Sequence, residues 1–139
     1  MRILFLCTGN SARSQIAEGF CREYGGDSVE VRSAGTKPQG LNPNAVEVMK
    51  EVGIDISAQT SDPLPRLGLD GYDYVITLCG DARDRCPVLP SGVKEEHWDL
   101  ADPARVAGEP AQLLAAFRRT RSQVERKVRE VLIRVSGHG

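Results

Sequence analysis

The chain has 139 residues, 40% of them hydrophobic, with 18 Lys and Arg against 19 Asp and Glu. That length suits one domain, spanning 1–139, around a single good core, and the balanced charge leaves no electrostatic footprint for nucleic acid. No stretch approaches the ~18 apolar residues of a membrane span, and the start lacks the apolar core and cleavage site of a secretory leader, so a soluble, cytoplasmic monomer with no membrane partner is expected.

Met1 to Leu6 is an apolar run without a turn residue and predicts a buried strand ended by Cys7. Thr8 to Ala12 reads as a small polar loop. Arg13 onward predicts a helix with Ile16, Ala17 and Phe20 on its apolar face, Ser11 as N-cap and Gly25-Gly26 as its stop. Alternation through Val29 and Val31 predicts a second strand over Ser28 to Ala34, followed by a Pro- and Gly-containing loop from Thr36 to Asn44. Pro43 or Asn44 opens a helix whose apolar face is Ala45, Val46, Val48, Met49 and Val52, with Gly53 as its stop. Ser61-Asp62-Pro63 reads as a cap before a short helical turn. Asp73 to Leu78 predicts the third strand, Gly80 to Cys86 a short helix or loop closed by Pro87, and Lys94 to Trp98 the fourth strand. Pro110 starts a long helix to about Val135, with Leu113, Leu114, Phe117, Val124, Val128, Val131 and Leu132 facing inward.

Strands alternating with helices imply an α/β fold: a four-stranded parallel sheet with helices on both faces. Ligands of such sheets bind beyond the C-terminal strand ends. Cys7, Cys79 and Asp102 each follow a predicted strand and so share one edge.

The stretch Cys7-Thr8-Gly9-Asn10-Ser11-Ala12-Arg13-Ser14 has a definite chemistry. Backbone N–H groups of a tight loop at a helix N-terminus bind an anion of phosphate shape. Gly9 and Asn10 tolerate the positive φ such a loop needs. Arg13 can clamp two anion oxygens through its planar fork. The same field is expected to lower the Cys7 pKa and make it a nucleophile, with Ser14 as hydrogen-bond donor to the thiolate. A lone cysteine after a strand is more often a core thiol. The Cys-x5-Arg spacing in this loop favours catalysis instead.

This loop resembles the phosphate-binding loop of low-molecular-weight protein tyrosine phosphatases. It resembles still more closely that of the arsenate reductases that share their fold and are recycled by thioredoxin, and Gln15-Ile16-Ala17-Glu18-Gly19 continues that match. The resemblance implies arsenate as a small-anion substrate, residues 8–14 as its cradle, and thioredoxin as reductant. It implies a thiol relay from Cys7 to Cys79 to Cys86, because a reductase must take two electrons from thiols whereas a phosphatase needs only water. It gives Asp102, before Pro103, the place of the general acid that protonates the departing oxygen. Phosphatases of this fold carry aromatic residues after that Asp-Pro; here Ala104-Arg105-Val106 follow, which favours a small oxyanion.

Asn10, Glu18, Ser33 and Asp62 match the positions that hold potassium in some of these reductases, and all are oxygen donors. No other cofactor is implied. The alternative to the ion is that Asn10 and Ser33 support the anion loop by hydrogen bonds, with Glu18 in solvent. Many relatives have a further cysteine where this chain has Ala12. Cys21 matches no relay position, His97 reads as structural, and His138 falls in the terminus. Two other readings stand beside the reductase. One is a phosphatase of phosphate monoesters, in which Cys79 and Cys86 only protect Cys7. The other is a non-enzymatic anion or redox sensor, against which the complete Cys7, Arg13 and Asp102 set argues.

Overall fold

In the computed structural model, residues 1–64, 69, 71–79, 89 and 91–136 are described. The predicted turn after Pro63, the Gly80 to Pro87 segment with Cys86, and His138 lie wholly or largely outside the described residues. The strands are β1 (Arg2–Cys7), β2 (Glu30–Gly35), β3 (Tyr74–Thr77) and β4 (Lys94–His97), and the helices are α1 (Arg13–Gly25), α2 (Pro43–Lys50) and α3 (Pro110–Ser136). Short 3-10 turns occupy Gly26–Ser28 and Pro103–Arg105. The sheet is parallel throughout, in the order β2-β1-β3-β4. The predicted four-stranded parallel sheet is therefore present, and the strands start and stop within two residues of their expected limits.

β1 is central, buried on both faces, and so lacks polar alternation. Ile3 and Phe5 face a core shared with α1, α2 and α3, while Leu4 and Leu6 face a second cluster with Val75, Leu69 and Tyr72. The three described helices thus pack against one side of the sheet. Leu64, Leu89 and Val93 help to cover the other. Phe5, Phe20 and Phe117 are fully buried, worth roughly 1.5–3 kcal/mol each relative to exposure. Among the described residues no helix is long and apolar enough to cross a membrane.

Two features of this frame position the site. The chain leaves β1 toward β2 on one side and returns to β3 on the other, so the C-terminal end of β1 is the switch point at which parallel sheets bind ligands. The register then fixes what lies there: Leu6 pairs with Ala34 and Thr77, and Cys7 pairs with Gly35. Beyond β4, the Trp98 N–H continues the ladder to the Thr77 carbonyl at 2.8 Å, and the Trp98 ring meets Phe5 at 5.5 Å. This anchors the stretch that leads to Asp102.

α1 differs from expectation at its start. Its N-cap is Ala12, and no side chain caps it; Ser11 does not take that role. The Ser11 carbonyl accepts instead from the Asn42 N–H at 3.0 Å, so Ser11 is held as part of the loop. A helix end without a side-chain cap keeps its first N–H groups for another acceptor. α2 is capped by the Asn42 side chain on the Asn44 N–H at 2.8 Å, with Pro43 in its first turn. Val52 is exposed rather than on the apolar face.

Candidate active site

The loop from Cys7 to Ala12 is built by its carbonyls. Those of Cys7, Thr8, Gly9 and Ser11 accept from the amides of Thr36, Lys37, Gln39 and Asn42, at 3.3, 2.8, 2.9 and 3.0 Å. The Asn10 carbonyl accepts from Gln15 Nε2 at 2.8 Å, and that of Ala12 from the Ile16 amide at 2.9 Å. In a trans peptide the N–H points opposite to its carbonyl. With all six carbonyls tied to the surrounding chain, the amides of residues 8 to 13 are turned to the inside of the loop. They form a concave row of donors that continues into the start of α1.

Asn10 is the one described non-glycine residue with positive φ, at 45°. Its side chain compensates for the backbone conformation. Asn10 Nδ2 donates to Ser14 Oγ at 2.9 Å, and Asn10 Oδ1 accepts from the Asp62 N–H at 2.8 Å. Ser14 Oγ therefore accepts from Asn10, and its hydroxyl hydrogen stays available for the Cys7 thiolate that the sequence assigned to it. Gln15, fully buried, holds both the Asn10 carbonyl and the Thr60 carbonyl (3.0 Å), and Gln59 Nε2 donates to Gln15 Oε1 at 2.8 Å. Gly35 is required by close approach: a Cβ there would lie 2.7 Å from the Thr8 carbonyl oxygen and 2.9 Å from the Asn10 nitrogen.

A cavity of about 580 Å³ opens over this loop, lined by Cys7, Arg13, Cys79 and Asp102 among others. Arg13 is buried, and its Nη1 donates to the Leu100 carbonyl at 2.9 Å, which holds the guanidinium over the loop. Asp102 caps the Pro103–Arg105 turn through Oδ1, which accepts from the Ala104 N–H at 3.0 Å. Its Oδ2 lies 3.7 Å from Arg13 Nη2 and 3.6 Å from Arg105 Nε. The predicted nucleophile, anion clamp and acid thus meet in one cavity.

Cys7 and Cys79 are both buried free thiols that line the same cavity and interact electrostatically, and Thr8 Oγ1 lies 3.1 Å from Cys79 Sγ. The pairing of β1 with β3 explains their proximity, since each cysteine follows the paired ends of neighbouring strands. Their interaction also overturns one expectation. The hydrogen bond with Cys79, followed by burial, pushes the Cys7 thiol up, and this outweighs the downward pull of Arg13 and the Thr8 N–H. From sequence only the two lowering influences were visible. The two sulfurs titrate as a pair, so the upward push belongs to the pair rather than to Cys7 alone. Cys21 lies on α1 in the core, and burial pushes its thiol up to about 12.

The four oxygen donors matched to potassium are brought together. Glu18, Ser33 and Asp62 line a second cavity of about 310 Å³, and Asn10 adjoins it through the Asp62 N–H. Glu18 is buried rather than solvated; it accepts from Ser33 Oγ and forms an ion pair with Arg22. As a donor set these residues suit a hard monovalent cation, with the Arg22 guanidinium as competitor for the Glu18 carboxylate. Among the described residues, no group of three or more His, Cys, Asp or Glu is placed to hold a metal. His97 has a structural partner, with Nδ1 2.8 Å from Thr77 Oγ1.

Sequence reasoning missed Gln15, Gln59, Gly35, Lys37, Asn42 and Arg105. Gln15 is fully buried and Gln59 half-buried, a polar pair joined to each other and to Thr60 across 44 or more positions of the sequence, and the only advance signal for Gly35 was its place at the end of a strand. Lys37 and Asn42 line the active-site cavity from a loop with no motif of its own, and Arg105 lines it from the stretch after Asp102-Pro103, where sequence alone assigns it no role of its own.

Comparison with known proteins agrees with this geometry. The family model described as low molecular weight phosphotyrosine protein phosphatase matches residues 2–138. An arsenate reductase of Bacillus subtilis (strain 168) is 54% identical over 128 residues, which is 92% of each chain. A solved arsenate reductase in an oxidized state superposes with a TM-score of 0.84 at 38% identity, over 97% of this chain and 98% of that one. The thioredoxin-dependent arsenate reductase of Corynebacterium glutamicum gives a TM-score of 0.81 at 30% identity, over 99% of this chain and 63% of that one. By sequence, by sheet topology and by the cysteine–arginine loop, the chain belongs to the low-molecular-weight phosphotyrosine protein phosphatase family, among its arsenate reductases.

Proposed function

We propose that the protein is an arsenate reductase that converts arsenate to arsenite by a thiol relay and is recycled by thioredoxin. The observation that carries the reading is the juxtaposition of the Cys7 and Cys79 thiols at the floor of an anion-binding loop. Hydrolysis of an ester would need the first thiol and not the second.

Arsenate is held by the inward amides of residues 8 to 13 and by Arg13. The bound arsenate oxyanion accepts the Cys7 thiol proton, and Cys7 attacks arsenic as the thiolate. An As–S bond forms, and one arsenate oxygen leaves as water after taking a proton from Asp102. Cys79 then attacks the Cys7 sulfur. A Cys7–Cys79 disulfide forms, the As–S bonding pair passes to arsenic, and arsenite departs with the two electrons the thiols have lost. Cys86, which lies outside the described residues, exchanges with this bond to leave a Cys79–Cys86 disulfide. Two thiols of thioredoxin reduce it and restore the starting state. The thioredoxin-dependent relative supports this donor.

Asn10, Glu18, Ser33 and Asp62 would hold a potassium ion, which when bound adds positive charge behind the loop. Its fit is tested by melting the protein in potassium, sodium and choline chlorides of equal strength. A potassium-specific rise, larger in Arg22→Ala, is expected, and equal melting in all three salts would exclude the site.

The activity test is NADPH oxidation with arsenate, thioredoxin and thioredoxin reductase, set against p-nitrophenyl phosphate hydrolysis by the same sample. Reductase turnover is expected to exceed ester hydrolysis. Hydrolysis with no arsenate turnover would replace the reductase by the phosphatase reading.

A further inference from the structure

Arg105 and Lys37 lie on the rim of the active-site cavity and have no place in the relay. Lys37 is fastened to the loop through its backbone, the N–H bonding the Thr8 carbonyl at 2.8 Å, while its side chain is exposed. Arg105 ends the turn capped by Asp102, and its side chain is 88% exposed. Among the described lining residues the cavity carries three cations, Arg13, Lys37 and Arg105, against one carboxylate, Asp102. That carboxylate lies between Arg13 from within, at 3.7 Å, and Arg105 from the rim, at 3.6 Å, so the three cations still outnumber it. The whole chain meanwhile carries a net charge of −1.

We propose that Arg105 and Lys37 are specificity-determining entrance cations, which draw compact dianionic oxyanions into the cavity through their field. The inference rests on the reductase reading and names what selects the substrate. Two hydrated charges on a rim are unsuited to a tight bidentate clamp, which here belongs to buried Arg13. Their field still reaches an approaching dianion over a Debye length, and charge lining a cleft raises capture rates. A dianion gains twice what a monoanion gains from each charge, so the entrance favours arsenate and phosphate over singly charged anions.

The test uses the full chain with Arg105→Gln, Lys37→Gln, the double variant and Arg105→Lys. Two quantities are read at low and at high ionic strength. One is kcat/KM for arsenate in the coupled assay; the other is the concentration of inorganic phosphate that protects Cys7 from iodoacetamide. At low salt each single variant is expected to lose about 2- to 5-fold in both, and the double variant about 10-fold or more. The loss is expected in kcat/KM rather than kcat, to fade at high salt, and to be restored by Arg105→Lys. A double variant with the wild-type salt dependence and wild-type phosphate protection would overturn the proposal, as would a loss that Arg105→Lys does not restore. If phosphate protection follows the entrance charges while the wild type fails to reduce arsenate, the entrance stands and the reductase reading falls.

Discussion

Gly35→Ala should damage the anion loop although residue 35 touches no substrate. The added Cβ would meet the Thr8 carbonyl oxygen at 2.7 Å and the Asn10 Cβ and nitrogen at 2.9 Å each. Two of these three are backbone atoms of the loop itself, so no flexible side chain can swing away. Residue 35 cannot withdraw either: it is paired with Cys7, and its N–H bonds the Asp62 carbonyl at 2.8 Å. The strain therefore pushes Thr8 and Asn10 outward. Overpacking of this kind costs ~1–3 kcal/mol. For a domain of this size each kcal/mol lowers the melting temperature by ~3–4 °C, so a fall of about 3–12 °C is expected. The same displacement lengthens amide bonds to the anion; halving one charge-assisted bond of ~1.5–3 kcal/mol weakens phosphate binding about 3- to 10-fold. Thermal unfolding and phosphate protection of Cys7 from alkylation measure the two effects. A variant that melts with the wild type and is protected by the same phosphate concentration would refute the close-approach argument.

Four further outcomes are expected. Cys7→Ser abolishes arsenate reduction and ester hydrolysis together, while Cys79→Ser and Cys86→Ser stop multiple turnover and spare hydrolysis; catalytic arsenate reduction by either of the last two points to Cys21 as the missing thiol. Asp102→Asn slows single-turnover formation of the Cys7 adduct by ~10²–10⁴-fold with phosphate protection intact, and a normal single-turnover rate would remove Asp102 from the acid role. Glu51 titrates at about 2 rather than 4.5 because Arg118 and Arg121 hydrogen-bond its carboxylate. Its contribution is full above pH 4.5 and disappears as the pH falls to about 2; Glu51→Gln should therefore melt below the wild type at pH 7 and converge with it in acid, as scanning calorimetry at both pH values will report. Cys21, with its thiol pushed up to about 12 by burial, should stay unmodified by iodoacetamide at pH 8 in the native protein; its prompt labelling, read by peptide mass, would contradict its place in the core.

The parts of the fold that were legible in advance are those whose cause is local. The run Ile3 to Leu6 announced a doubly buried strand, and the Leu113 to Leu132 spacing announced the inner face of α3; Phe117, Val124, Val128, Val131 and Leu132 are buried as expected. Cys7 and Arg13 were legible because one loop carries both. What escaped depends on distant chain segments. Nothing within residues 7–12 reveals that amides from residues 36 to 42 hold their carbonyls outward. Ser11 looked like a cap because caps are recognised by residue type, and its carbonyl was claimed by Asn42 instead. The upward push on Cys7 comes from a sulfur 72 positions away in the sequence, brought close only by the β1–β3 pairing. The ion pair of Arg22 with Glu18 is, by contrast, local: the two stand at i and i+4 on α1.

The pairing of β1 with β3 also bears on which thiols can take part in turnover. Two sulfurs fixed by adjacent strands of one sheet meet without either side chain having to be ordered at the moment of reaction. Intramolecular groups held so reach effective concentrations of ~10⁵–10⁸ M in the best cases. A small cellular thiol at millimolar concentration would face a rival many orders of magnitude more concentrated at the Cys7 sulfur. The sheet thereby acts as a kinetic filter. In the proposed relay it would commit the arsenic adduct to the internal partner, keep mixed disulfides with soluble thiols scarce, and leave the choice of external electron donor to a later exchange step.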